Sequence, residues 1–247
     1  MLSVRTGSGS PPNGRDGDRD RSRERLRELR ADGGQRAEID RAAVDVLNNV
    51  LLPAMKEVGD KFGAGELILT NDNLWTGQTT VSEGTLTFDG GSADLSSNNL
   101  IVSDGNAAAT LNIKNGGEVG NGYGLIGHSA VSTGTVTVTG ANSSWTSSIN
   151  VAVGYYGNGT LTVEDGGEVA NVQGYVGDRA GSDGTATVTG PNSAWTNSGL
   201  LSVGNFGTGV LNIANGGAVS SAGGLVADQA DSSGEVTVSG AGSKWTN

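Results

Sequence analysis

The chain has 247 residues, of which 35% are hydrophobic and 43 are glycine, and its formal net charge is −11. It has no cysteine and a single histidine, His128, which excludes disulfides, thiol chemistry, cysteine-ligated metals and any histidine cluster. No apolar run approaches the ~18 residues that would suggest a membrane-spanning helix. The charge is unevenly spread: residues 1–69 carry 12 basic and 12 acidic side chains, residues 70–247 carry 3 and 14. The acidic part repels nucleic acid and anionic lipid, so neither is expected as a partner.

Residues 1–23 are rich in Gly, Pro, Ser, Asp and Arg and show no apolar period. They read as a disordered charged tail, whose interleaved acids cancel the attraction of its arginines for nucleic acid. No ~7–15-residue apolar core follows the basic residues, so no signal peptide is expected in this sequence. From residue 24 the pattern becomes helical. Leu26 and Leu29, then Ile39, Ala42, Ala43, Val46, Leu47, Val50 and Leu51, recur at three- and four-residue steps. Pro53 interrupts the run, Met55, Val58 and Phe62 resume it, and Gly63 and Gly65 end it. A helical segment is therefore expected over 24–69.

The run Ile39–Leu69, and LLPAMKEVGDKFGAGELIL within it most of all, resembles the helical cap module that precedes the cobalamin-binding domain of cobalamin-dependent methionine synthases and related corrinoid proteins. That family implies a four-helix cap followed by a Rossmann-like domain, whose Asp-x-His-x-x-Gly histidine ligates cobalt. Here the resemblance stops at Leu69, and His128 stands in GLIGHSAVS, which does not fit that motif. No cofactor is therefore expected.

Residues 70–247 are a repeat. Trp145, Trp195 and Trp245 are spaced by 50, as are the glycine pairs 116/117, 166/167 and 216/217. The tetrads beginning at Thr85, Thr110, Thr135, Thr160, Thr185, Val210 and Glu235 halve that period to 25 without an insertion. Each alternates polar and apolar residues, so Leu161 and Val163 face in while Thr160 and Thr162 face out. A second column at the same step is Ile101, Ile126, Val151, Val176, Leu201 and Val226. Such a period means a solenoid or a propeller. Twenty-five residues are too few for a four-stranded blade, so the expected fold is mainly β: a parallel β-helix of 25-residue coils over 70–247, preceded by the short helical segment. The sequence stops fourteen residues into a coil, at Asn247, so a truncated repeat region is expected.

The stretches Gly157–Val169, Gly181–Gly204 and Gly207–Val219, with the opening NLWTG at Asn73–Gly77, resemble the repeats of bacterial autotransporter passengers and similar large secreted repeat proteins. That resemblance implies a right-handed β-helix at the cell surface or outer membrane, and a role in adhesion or as a structural spacer. It makes surface glycans or other proteins the partners to consider. The alternative reading is a fragment of a cobalamin-dependent methyltransferase cap fused to a foreign repeat region.

No catalytic, cofactor-binding or metal-binding set emerges, and an enzyme is not expected. His128, Asp178 and Asp228 recur every second coil and form one candidate surface ligand row, although an aspartate at a turn more often accepts backbone N–H bonds. Trp145, Trp195 and Trp245 form another, as a sugar-stacking platform, with packing at the core edge the favoured alternative. Glu164, Asp165 and Glu168 flank a glycine pair and invite a calcium reading, but the nine-residue Gly-Gly-x-Gly-x-Asp step is absent, so they read as a turn. Arg179, beside Asp178 and near Asp183, is the one acid–base arrangement worth testing for glycan cleavage.

Overall fold

The computed structural model describes residues 65–74, 77–95 and 98–247. They form a parallel β-solenoid of two sheets and contain no helix. The expected tail over 1–23, and the expected helix as far as residue 64, lie outside the described residues. The last residues of the expected helical segment do not: Glu66–Leu69 is a strand, paired in parallel with Thr85–Phe88. Among the described residues the solenoid is thus already present at Glu66, ahead of the compositional boundary at Leu69. The sequence ELIL alternates polar and apolar residues at its start and follows two glycines, which suits an edge coil better than a helix end.

The first sheet has eight strands, and the seven tetrads form its ladder. Thr160 pairs with Thr135 and Thr185, and the same in-register stacking continues to Glu235. Leu111, Val136, Leu161, Ala186 and Leu211 stack inward in one row, and Ile113, Val138, Val163, Val188 and Ile213 in the next, all fully buried. Every pairing is parallel, which overturns the propeller alternative, since blades are built from antiparallel strands.

The second sheet, of twelve strands, closes each coil and is bent into two limbs. In two coils one long strand runs through both limbs, Glu118–Ile126 and Ser144–Val153; in later coils the limbs are separate, as in Glu168–Asn171 and Gln173–Val176. Two kinds of coil alternate here. The first turn has three residues in one kind, Asp165 to Gly167, and four in the other, Gly190 to Ser193. In the three-residue turn Asp165 takes the left-handed conformation (φ 53°), as Asn115 and Asn215 do at equivalent places. This is the turn role expected of Asp165, since short Asn and Asp side chains tolerate that region.

The four-residue turn and one further residue at the bend make the second kind of coil two residues longer by the time it reaches the second limb. A final turn two residues shorter, Gly204 to Gly207 against Gly177 to Ser182, restores the 25-residue step in the first sheet. The second limb therefore does not stack at 25. Val151 lies beside Gly124 and Gly174, and Leu201 beside Gly174 and Gly224. The column proposed from constant spacing is corrected accordingly: Ile126, Val176 and Val226 stack with Val102, Val153 and Val203, and Ile101 faces the opposite side.

The glycines of that inner column are there because tryptophan fills the space. Trp145 and Trp195 are completely buried within the first limb, alternating along it with Val119, Val169 and Val219. A Cβ on Gly124 would lie 2.3 Å from Cζ2 of Trp145, and one on Gly224 would lie 2.4 Å from Cζ2 of Trp245. A large side chain in one coil and none in its neighbour give a two-coil volume period, and hence the 50-residue superperiod.

Each indole also anchors a polar group inside the solenoid. Trp145 Nε1 donates to Asn121 Oδ1 at 2.6 Å, and Asn121 Nδ2 donates to Ser147 Oγ at 2.6 Å. Trp195, Asn171 and Asn197 repeat this at 2.7 and 2.7 Å, and Trp245 donates to Ser221 at 3.0 Å. Buried polar atoms that would otherwise carry a desolvation penalty are thus paired at the bend.

Replacing Gly124 by Ala should destabilise the fold by about 1–3 kcal/mol through overpacking, whereas Gly77→Ala, with nothing within 4 Å of the new Cβ, should be close to neutral. In a Trp145→Leu background the Gly124→Ala penalty should shrink, because the two side chains share one space. Thermal unfolding followed by far-UV circular dichroism checks all three.

Candidate binding groove

The outer side of the second limb carries three side-by-side columns that run along the solenoid axis. Nearest the bend are Asn99, Tyr123 and Asn150; register places them at equivalent positions in successive coils. Two residues further along each strand, and therefore on the same face, come Ile101, Leu125, Ala152 and Tyr175. Beyond these the chain turns, and Asp104, His128, Tyr155, Asp178, Asn205 and Asp228 follow one another at the turn, tied by backbone bonds such as Asp178 N–H to Gly154 O and Asn205 N–H to Gly177 O.

The middle column is apolar and low. Ile101, Leu125 and Ala152 form a small cluster of their own, with Tyr155 and Tyr175 packed against it. Between the outer columns lies a groove of about 490 Å³, within the ~300–1,000 Å³ of ordinary small-molecule sites. Its bend-side wall is Asn99, Tyr123 and Asn150, and its turn-side wall is His128, Tyr155, Asp178, Arg179 and Asn205.

The turn-side wall is cross-tied. The rings of His128 and Tyr155 stack with centroids 5.6 Å apart and planes 8° from parallel. The Arg179 guanidinium lies 5.1 Å from the centroid of the Tyr155 ring, a cation–π distance. Arg179 Nε sits 3.4 Å from Asp178 Oδ2 and makes no hydrogen bond. On its other oxygen Asp178 accepts from Asn205 Nδ2 at 2.8 Å. Further along, Asp104 Oδ1 lies 3.0 Å from His128 Nδ1 and accepts from the Ser129 hydroxyl at 2.5 Å.

The two carboxyls at the ends of this wall are pushed in opposite directions. Burial raises the pKa of Asp178, outweighing the Asn205 hydrogen bond and the charge of Arg179, which both lower it. Asp104 is exposed and is lowered by its hydrogen bonds from Ser129 and with His128.

His128, Asp178 and Asp228 do share one edge at every second coil, as their spacing indicates, but not as a row of their own. Tyr155 and Asn205 fill the intervening places, and Asp228 is exposed beyond the groove with its carboxylate held by Gln229. The surface row of Trp145, Trp195 and Trp245 is corrected: the first two have no exposure at all, and the third is partly buried with its indole turned toward Ser221. Their rings fill the space left by the facing glycines and so offer no platform. Asp183, expected near Arg179, opens a first-sheet strand. The groove's tyrosines carry no mark in the repeat pattern. The available signal is that all four tyrosines of the chain fall between residues 123 and 175.

Asp178 binds its proton more tightly folded than unfolded, so its contribution to stability declines as pH rises through the window above 3.8. Asp104 has the opposite sign: its contribution is present above 3.8 and is lost as pH falls below that value. Carboxyl-carbon NMR titration should place Asp178 above the ordinary carboxyl midpoint and Asp104 below it. In Asn205→Ala, which removes a bond to the charged form, the Asp178 midpoint should rise further.

Residues 15–71 match the family model of the B12 binding domain, and residues 60–88 match that of the Passenger-associated-transport-repeat. No curated protein and no solved structure matches the chain. The second match runs from just before the Glu66–Leu69 strand to within the Gly84–Asp89 strand, which is one full coil. The two matches share residues 60–71, and the strand Glu66–Leu69 within that overlap belongs to the solenoid. The chain therefore joins a segment similar to a B12 binding domain to a parallel β-solenoid whose first coil is similar to a passenger-associated transport repeat.

Proposed function

We propose that the protein is a non-enzymatic, passenger-like β-solenoid that works outside the cell or at its surface, as an adhesin rather than a bare spacer, with its coils wound in the right-handed sense usual for parallel crossovers. The observation that carries this reading is the passenger-associated transport repeat on the first coil, continued by six further first-sheet strands in unbroken register. The preference for adhesion over spacing rests on the groove, since a spacer has no use for a concave wall of aromatic and amide side chains. The preference for binding over catalysis rests on Asp178. Its carboxylate is 4% exposed and engaged by Asn205 and Arg179, so it is poorly placed to exchange a proton with a substrate.

Among the described residues no helix is long and apolar enough to cross a membrane. The cobalamin reading keeps one specific observation in its favour, the match over residues 15–71. It is weighed as a fragment, because the sequence that follows is solenoid.

Beads coated with the full chain should adhere to intact cells, and the soluble chain should compete with them. Titrating cobalamin into the same chain should leave the corrin absorbance unchanged. A tight, stoichiometric spectral shift without bead adhesion would favour the corrinoid fragment instead.

A further inference from the structure

We propose that the groove on the second limb binds a neutral, linear oligosaccharide laid parallel to the solenoid axis. The proposal rests on the adhesive reading for where such a ligand would be met, and on the geometry for its chemistry.

The direction follows from the coils. Neighbouring parallel strands are ~4.8 Å apart, so equivalent side chains along a column repeat at about the length of one pyranose unit. Asn99, Tyr123 and Asn150 are three consecutive members of such a column. Their side chains make no hydrogen bond to any other described residue, and they line the groove. Amide and phenol groups both donate and accept, which is what successive sugar hydroxyls require.

The stacking surface is Tyr123. The residue is 40% exposed, and it lines the groove in the column next to the apolar Leu125 and Ala152. Tyr155 cannot take that part, because His128 covers one side of its ring zone and Arg179 is engaged with it as well. Tyr175 is tied through its hydroxyl to Gln173 at 2.6 Å. A carbohydrate ring presents an apolar C–H face to an aromatic ring and hydroxyls at its rim, so one tyrosine flanked by two amides along the axis fits successive sugar units.

Charge decides between neutral and acidic glycans. Residues 70–247 carry 14 acids against 3 bases, and the one base in the groove, Arg179, already lies against Asp178. An anionic chain would meet a repulsive field with no free cation to offset it. Size decides between glycan and protein. A stable protein interface needs ~800 Å² from each partner, whereas the groove is a narrow channel between two side-chain walls.

The test is calorimetric titration of the full chain with maltohexaose, cellohexaose and chitohexaose, against a hexagalacturonate of equal length. At least one neutral hexasaccharide should bind, and more tightly than the galacturonate. Tyr123→Ala and Asn150→Ala should each weaken it about tenfold or more, Tyr123→Phe should retain most of the affinity, and Phe206→Ala, exposed and outside the groove, should change nothing. Circular dichroism confirms that the variants are folded. Absence of binding by all three neutral sugars, preference for the galacturonate, or affinity that survives both alanine substitutions would overturn the proposal. The adhesive reading fails separately: beads that adhere without any sugar binding refute the groove alone, whereas sugar binding without bead adhesion refutes adhesion alone.

Discussion

An indole ring occupying the place of an absent side chain is the constraint on which this solenoid depends. Trp145 fills the volume that a Cβ on Gly124 would need, Trp245 does the same at Gly224, and at Gly174 Trp195 shares that role with Asn197 and Leu201. Parallel strands alone would let any coil stack on any other, because backbone hydrogen bonding is indifferent to side chains. Matching a large residue to none makes neighbouring coils unlike and fixes which must follow which. The buried amides then refine the fit, since the indole N–H groups of Trp145 and Trp195 find their acceptors in Asn121 and Asn171, one coil below. Shape and polarity thus select the same register.

The groove is a by-product of that alternation. The longer path through the bend in tryptophan coils, and the shorter turn that compensates for it, bring Tyr155 and Asn205 to the turn where other coils carry His128 and Asp178. A uniform coil would stack identical residues there. Unlike coils instead build a mixed wall in which an aromatic ring, a carboxylate, a guanidinium and an amide brace one another. The small Ala152 in the middle column keeps the floor low between them. The shape of the groove therefore derives from the same rule that stabilises the core, expressed on the opposite face of the strand.

Seven of the eight strands of the first sheet were legible in the sequence, because they repeat at a constant 25 and their polar–apolar alternation states which side is inward; Glu66–Leu69, 19 residues before its partner, read instead as a helix end. Leu161 and Val163 are buried and Thr160 and Thr162 are not. The second limb was misread at the same step. Val151 aligns with Ile126 in sequence but stacks on Gly124 in space, since local insertions cancel before the next tetrad and leave the overall period untouched. The buried tryptophans were legible as packing only through their flanking residues; what they pack against was not, because Gly124 and Trp145 are 21 positions apart and share no motif. The groove was illegible for a related reason. Its walls come from columns whose spacing varies between coils, so no fixed interval joins Tyr123 to Tyr155 or Asp178.

The cancellation of turn lengths has a consequence for how such a chain can grow or shrink. Loss of a single tryptophan coil would set glycine against glycine in the second limb and leave a void, and duplication of one tryptophan coil would bring two indoles to bear on space cleared for one. A pair of coils carries its own large and small halves, its own buried amide and both kinds of turn. Recombination within genes encoding such arrays therefore preserves a foldable product when its breakpoints lie a whole pair apart, and the heritable module is fifty residues long even though the architecture counts in twenty-fives.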